Sequence, residues 1–348
     1  MNQDYAHLSY YPNREEYTVR AAHRLECDPI DRALPEGFPQ QLESKMVWDG
    51  ESFFLEEHRR SDGTECVLVL DGSQLLEVDA ALRSFKALKK PLGELDPSNF
   101  PLPSLHPVLR AVSDNLHKGY GFTVIRGIPV DKYDDEENMI IYVGISSHIG
   151  GVRGRQDHQF DGKPVDVMVA HITDFRQSTE DRDKYTLAAY TDGEVIFHTD
   201  VADIVSLFVL NEAATGGQSQ LASSWRIYNE LARTRPDLVK VLADDWVIPS
   251  ANDNSVIHRR PLLFYQPPLD GNPENLIIQF SRRSFSGFGG RPQSKYLTVE
   301  QAEALDSLHF LAEKFHISME LKKGDMQFIN NLSMLHARAS YTDDSEHR

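Results

Sequence analysis

Cysteine is nearly absent: Cys27 and Cys66 are the only two in 348 residues. Two cysteines build no disulfide framework, and these are not spaced as a CxxC pair. They read as free thiols in a reducing compartment. No apolar run approaches the roughly eighteen residues of a membrane helix. Met1 to Tyr17 is polar and aromatic, without the apolar stretch of a secretory signal. A soluble, cytoplasmic protein is expected. Positive charge is also scarce: 36 Lys and Arg face 53 Asp and Glu, a net charge of -17. Such a surface repels polyanions at long range. With no Lys/Arg block either, nucleic acid is not an expected partner. No Gly-x-Ser-x-Gly elbow supports a hydrolase; the Ser223-Ser224 pair reads as a helix N-cap instead. Internal repeats and low-complexity tracts are missing too.

What is present is enough apolar residue, 40% of a long chain, to bury a large core without a structural metal or disulfides. The first thirty or so residues lack clear periodicity and are expected to wrap the domain or move freely. Leu34 to Pro39 reads as loop, and Cys66 to Leu70 as a short strand. Leu75, Val78, Leu82 and Phe85 fall on one helical face, as do Val108, Leu109, Val112 and Leu116. Gly119 and Gly121 stop the second helix, and Phe122 to Arg126 follows as a strand.

From about residue 164 the pattern changes to short apolar runs between turn signals. They are Val165–Ala170, Tyr185–Tyr190, Val195–Phe197, Ile204–Leu210, Leu276–Phe280 and Met326–Ile329. Many short strands indicate a sandwich or barrel. Two helices interrupt them. One spans Ser224–Arg233, ending before Pro236. The other spans Val299–Phe315, opened by Thr298 and Gln301 at capping-box spacing. The expected fold is mixed but mainly β: a double-stranded β-helix, or jelly roll, with flanking helices, whose tapered interior can host a ligand.

The chemistry-bearing residues sit among these runs. His198-Thr199-Asp200 follows a strand-like run, and residues two apart on a strand share a face. An imidazole and a carboxylate then converge on one ion, and a distant His completes a 2-His-1-carboxylate facial triad with open positions for iron(II) chemistry. The triplet alone is a weak signal. With 14 histidines and 53 acidic residues, roughly two such triplets arise by chance. Context strengthens it. Gly324-Asp325 is a turn, the next residues are a strand, and His336 follows on a second extended run. Beyond it lies Arg348, a fork suited to a dicarboxylate end-on.

Phe197-His198-Thr199-Asp200, Gly216-Gly217-Gln218-Ser219, Asn331, His336 and Arg348 together resemble the taurine dioxygenase/TfdA family of 2-oxoglutarate oxygenases. Within it, the phrases GGQSQLASSWRIYNELARTRPDL and INNLSMLHARASYTDD look most like the fungal branch. The resemblance spans about residues 104–348, a jelly-roll oxygenase domain, with 1–103 as an N-terminal extension packed on it. It implies His198, Asp200 and His336 as iron(II) ligands. It implies Arg348 on the distal carboxylate of 2-oxoglutarate, assisted by the Ser219 hydroxyl where the family usually has Thr. Val201 would lie close to substrate. The resemblance also implies O2 as co-substrate, decarboxylation of 2-oxoglutarate to succinate, and oxidation of an unactivated C–H bond by hydroxylation, cyclisation or desaturation.

A small anionic or zwitterionic substrate, carboxylate or amino-acid-like, of natural-product metabolism is the expected partner. In so acidic a protein it needs local positive charge. Arg283 and Arg338 are the favoured candidates, with Arg282, Arg153 and Arg155 behind them. Tyr190 and Phe197 are candidate pocket walls, and His158 and His171 lie in the segment before the triplet. Each is more often structural than functional. A non-catalytic jelly roll that binds a metal or small acid is the alternative; the complete ligand set argues against it.

Overall fold

The computed structural model describes residues 8–27, 31–53, 57, 63, 65–160, 163–174, 188–249, 257–287 and 297–344. In chain order, helix α1 (Arg14–Cys27) precedes strand β1 (Val67–Val69), α2 (Gly72–Leu88), α3 (Leu105–Lys118), β2 (Phe122–Arg126) and α4 (Asp135–Ile149). A hairpin of β3 (Asp157–Phe160) and β4 (Lys163–Val167) follows. Then come β5 (Val195–His198), β6 (Ile204–Phe208), β7 (Thr215–Gly216), β8 (Ser219–Ser223), α5 (Ser224–Thr234) and α6 (Pro236–Ala243). Two further strand pairs are β9 (Trp246–Pro249) with β10 (Ile257–Arg260) and β11 (Leu263–Gln266) with β12 (Asn275–Ile278). The chain continues through α7 (Arg283–Ser286), α8 (Val299–Phe315), β13 (Ile317–Met319), β14 (Met326–Asn330), β15 (Met334–Arg338) and β16 (Tyr341–Thr342).

Two four-stranded sheets form the jelly-roll core. One has the order β1-β2-β14-β6, the other β13-β8-β15-β5. The second is antiparallel throughout. In the first, β1 runs parallel to β2, because α2 and α3 carry the chain between them. Side chains alternate across each strand. One face of β14 therefore sends Met326 and Phe328 into a helical layer with Leu82, Leu109, Ile141 and Ile145. The other sends Ile329 to the core shared with Phe122 and Val124 of its own sheet and Leu221 of the facing sheet.

The helices begin where local chemistry dictates. Asp71, Asp134 and Thr298 each close a complete capping box, with Gln74, Glu137 and Gln301 as reciprocal partners. Two helices escape a search for periodicity. In α4 nine residues are buried, from Asn138 to Ile149, so it has no polar stripe to reveal a 3.6-residue period. In α1 no residue is buried. It lies along α8 through ion pairs instead: Arg20 with Asp306, Arg24 with Glu303, and Tyr17 Oη 3.1 Å from Ser307 Oγ. The expectation of an aperiodic wrap is corrected to a helix held by charge. Pro236 does not merely end α5; it opens α6 at the N1 position.

The expected strands are found with adjusted ends. Tyr185–Tyr190 is the exception: Ala188–Tyr190 is a 3-10 turn, and 185–187 lie outside the described residues. The segment before residue 104 contributes to both cores. Leu42, Met46, Trp48, Phe53 and Cys66 pack with Phe122 and Trp225, and Trp48 Nε1 donates to Tyr120 O at 2.9 Å. Among the described residues no helix is long and apolar enough to cross a membrane.

Candidate metal centre

The two histidines meet by strand register. His336 on β15 stands directly opposite His198 on β5, and Arg338 stands opposite Val195. Between these pairs two residues on β5, Ile196 and Phe197, oppose the single Ala337 on β15, a bulge that twists the edge strand and re-aims His198. The imidazole centroids are 4.2 Å apart. Asp200 Oδ2 lies 3.3 Å from His336 Nε2, and Oδ1 lies 3.9 Å from His198 Nε2. One donor atom from each of the three falls within 4.8 Å of the others. It is the only such acidic, histidine or cysteine group among the described residues.

Each part of the triplet is held from a different direction. His198 Nδ1 donates to Ile196 O at 2.9 Å, which places the proton on Nδ1 and leaves the Nε2 lone pair facing Asp200. Thr199 points the other way. Its N–H donates to Phe280 O at 2.7 Å, and its Oγ1 accepts the Phe280 N–H at 2.9 Å. Asp200 is gripped through its backbone by buried Asn331: its N–H donates to Asn331 Oδ1 at 2.8 Å, and its carbonyl accepts from Nδ2 at 2.9 Å. Asn331 Nδ2 also reaches Ala202 O.

The electrostatics suit a cation. Burial and the neighbouring His336 push the His198 pKa down to about 4, so its imidazole is neutral near pH 7. Burial alone would raise Asp200, but the His336 hydrogen bond and both imidazoles outweigh it and bring the carboxylate down to about 2. Two imidazoles and one carboxylate, with His198 neutral, fit a divalent metal. His336 Nε2 faces Asp200, and its Nδ1 is buried without a hydrogen-bond partner among the described residues.

Ser219 on β8 lies opposite Arg338, one rung along the interior face from His336 and Leu221. The Gly216-Gly217 turn before it requires glycine. Gly216 has φ +80°, and a Cβ there would meet Ser340 O at 2.2 Å. Val201, beside Asp200, is 96% exposed. Arg348 lies outside the described residues, as do the side chain of His158 and residues 175–187.

The arginines divide. Arg338 Nη2 donates to Thr191 O and Gly193 O, each at 2.6 Å, and its guanidinium stacks over Tyr341 at 4.8 Å. Its Nη2 thus braces the 188–193 loop that carries half-buried Tyr190, while its Nε is buried without a hydrogen-bond partner among the described residues. Arg282 is buried, pairs with Asp306, and donates to Ser9 O at 2.7 Å, so its charge is engaged in the fold. Arg153 donates to Leu95 O at 2.8 Å and Gly93 O at 2.7 Å, a structural brace. Arg283, at the start of α7, lies near Tyr10 of the N-terminal segment. Phe197 faces away from the metal ligands, its ring 6.0 Å from His309 and 5.6 Å from His316. Arg155 and His171 are exposed.

Two imidazoles and a carboxylate converging inside a jelly roll are the donor set of the non-haem iron(II) oxygenases. A sequence model of the family "Taurine catabolism dioxygenase TauD, TfdA family" matches residues 85–348, and the chain belongs to that family. It is thus an Fe(II)/2-oxoglutarate-dependent dioxygenase, with iron(II) as cofactor and 2-oxoglutarate and O2 as co-substrates. The fungal "Taurine hydroxylase-like protein SAT17" of Stachybotrys chartarum is 37% identical over 319 residues, covering 90% of this chain and 78% of the relative. The "FR-33289 synthase" of Streptomyces rubellomurinus is 24% identical, covering 82% of each. Among solved structures, the non-heme iron oxygenase OrfP with Fe and alpha-ketoglutaric acid superposes with a TM-score of 0.56 at 16% identity, covering 80% of this chain and 89% of the other. An asparagine oxygenase with Fe(II), 3-hydroxyasparagine and succinate gives 0.53 at 13% identity, with the same coverage.

Proposed function

We propose that His198, Asp200 and His336 hold the iron(II). We propose further that the enzyme oxidises an unactivated C–H bond of a small carboxylate or amino-acid-like substrate. The observation that carries this is the convergence of the three donor atoms, with His198 Nδ1 tied to Ile196 O so that Nε2 is presented. Bound iron and 2-oxoglutarate supply the oxidising chemistry. The chain's part is to aim the ligands, keep water out and seat the substrate.

Ser219, with Arg348 as the family resemblance implies, receives the distal carboxylate of 2-oxoglutarate. Val201, Tyr190 and Arg283 flank the substrate. Arg338 holds the loop that carries Tyr190. The amino-acid reading is supported by two solved relatives of this fold, one bound to hydroxyasparagine and the other to hydroxyarginine. Service in natural-product biosynthesis is supported by a relative that is itself named a synthase.

The test is the visible spectrum of the anaerobic protein with iron(II) and 2-oxoglutarate. A metal-to-ligand charge-transfer band that is absent in His198→Ala is the expected result. Succinate release is then screened against amino acids and small carboxylates. A folded, metal-loaded protein that gives no band overturns the reading.

A further inference from the structure

The interior pairs Ser219 with a polar residue that no sequence motif singled out. Ser219 Oγ donates to Gln327 Oε1 at 2.8 Å. Ser219 belongs to β8 in one sheet and Gln327 to β14 in the other, so the bond spans the two facing layers. Both residues are buried, Gln327 completely. The amide nitrogen of Gln327 finds only the Met319 sulfur, 4.0 Å away. A thioether is a weak acceptor. A fully buried NH2 with so poor a partner costs stability, and apolar side chains surround it: Val124 opposite on β2 and Leu207 opposite on β6. Packing alone would be better served by an apolar residue there.

We propose that Gln327 is a positioning residue for the distal carboxylate of 2-oxoglutarate, acting through Ser219; this rests on the iron and 2-oxoglutarate reading above. The distance fits. Ser219 lies one rung beyond the Leu221–His336–His198 row, and two residues along a strand span about 6.8 Å. A five-carbon diacid chelating at the metal end reaches that rung with its far carboxylate. The bond seen here consumes the Ser219 proton on Gln327. A carboxylate accepts only, so it needs that proton. An amide can present either end. When Gln327 turns its nitrogen to Ser219 Oγ, the hydroxyl is released to donate to the carboxylate, and the amide nitrogen gains a proper acceptor. The turn exchanges one poorly satisfied end of the amide for the other, so the arriving carboxylate, which accepts the released Ser219 proton, decides which is favoured.

The test measures affinity by anaerobic titration of the charge-transfer band with two oxo acids. 2-Oxoglutarate has the distal carboxylate; pyruvate keeps the chelating end and lacks it. Gln327→Met preserves length without a donor, and Gln327→Glu sets a second anion beside the arriving one. The expected result is a rise of about tenfold in the 2-oxoglutarate Kd for Gln327→Met and a larger rise for Gln327→Glu. Pyruvate binding should change little in Gln327→Met. Adding Ser219→Ala to Gln327→Met should cost no more than Ser219→Ala alone, since one acts through the other. An unchanged 2-oxoglutarate Kd, or an equal loss for both oxo acids, overturns the proposal. No band in the unsubstituted protein would instead remove the iron and 2-oxoglutarate reading beneath it.

Discussion

Asn331 holds Asp200 by the backbone on both sides, accepting its N–H and donating to its carbonyl, 131 positions away in sequence. Asn331 leaves the carboxylate oxygens to face the two imidazoles. The grip fixes where the carboxylate starts without competing for its oxygens. Outer contacts of this kind set metal affinity as much as the ligands do.

Asn331→Ala removes that grip. Iron(II) affinity should fall by about 10–100-fold with the three ligands intact. Asn331→Asp should also weaken binding, because a carboxylate accepts the Asp200 N–H but offers no proton to the Asp200 and Ala202 carbonyls. Titration calorimetry with iron(II) or cobalt(II) under anaerobic conditions measures both.

Metal should stabilise the fold in proportion to its concentration. A ligand that binds only the native state raises stability by about 2.7 kcal/mol at a hundredfold excess over Kd. The melting temperature should rise on adding iron(II) and return on chelation. In His336→Ala the rise should vanish, as it should in His198→Ala. A full metal-dependent shift in either variant would refute the ligand assignment.

Arg338 anchors the 188–193 loop through carbonyls at 2.6 Å. Arg338→Met keeps the stem and loses the fork, so amide hydrogen exchange in that loop should quicken by about tenfold or more. Exchange in β14 should be unchanged. If Arg338 instead binds substrate directly, substrate affinity will fall while loop exchange stays as it was.

Asp306 is shared by Arg20 of α1 and buried Arg282. Asp306→Asn leaves both guanidinium groups without a counter-charge, and about 3–5 kcal/mol of destabilisation is expected. Arg14→Ala breaks a pair that is well exposed, with Glu313, and should cost under about 1 kcal/mol. Denaturant unfolding of the two variants checks the contrast, and equal losses would contradict it.

Tyr10 carries a pH signature. Burial, reinforced by Tyr11, pushes its phenol up to about 12 from an ordinary value near 10. Its contribution is complete below pH 10. Between 10 and 12 the unfolded chain gives up the proton and the folded one does not, so stability falls as pH rises through that window. Tyr10→Phe should show a shallower alkaline decline than the parent protein, measured as melting temperature from pH 9 to 12. Parallel declines would show that Tyr10 is not the group responsible.

Much of the fold could be read locally. The Thr298–Gln301 capping box and the 3.6-residue stripes of α2 and α3 depend on neighbours within one turn. So do the Gly119 stop and the short apolar runs that became β5, β6 and β14. Buried α4 shows no stripe because it has no solvent face, and α1 shows none because it docks through charges rather than apolar area. At the site, His198 and Asp200 announced themselves by spacing, since two residues on one strand share a face. Gln327 and Thr199 did not, because nothing local distinguishes a buried amide or hydroxyl that bonds across layers.

The sequence by itself determined the chemistry available: two imidazoles, a carboxylate, a hydroxyl, and short strands suited to a closed two-sheet core. Only the tertiary structure decided how these are used. The β5–β15 register and its bulge set His198 against His336, and Asn331 fixed Asp200 from the turn between β14 and β15. Packing also paired Arg282 with Asp306 and set Arg338 Nη2 on a loop carbonyl. The reason is that a side chain's role depends on the partner that reaches it first. For groups more than a hundred residues apart, that partner is chosen by sheet pairing and layer packing, not by chain neighbours.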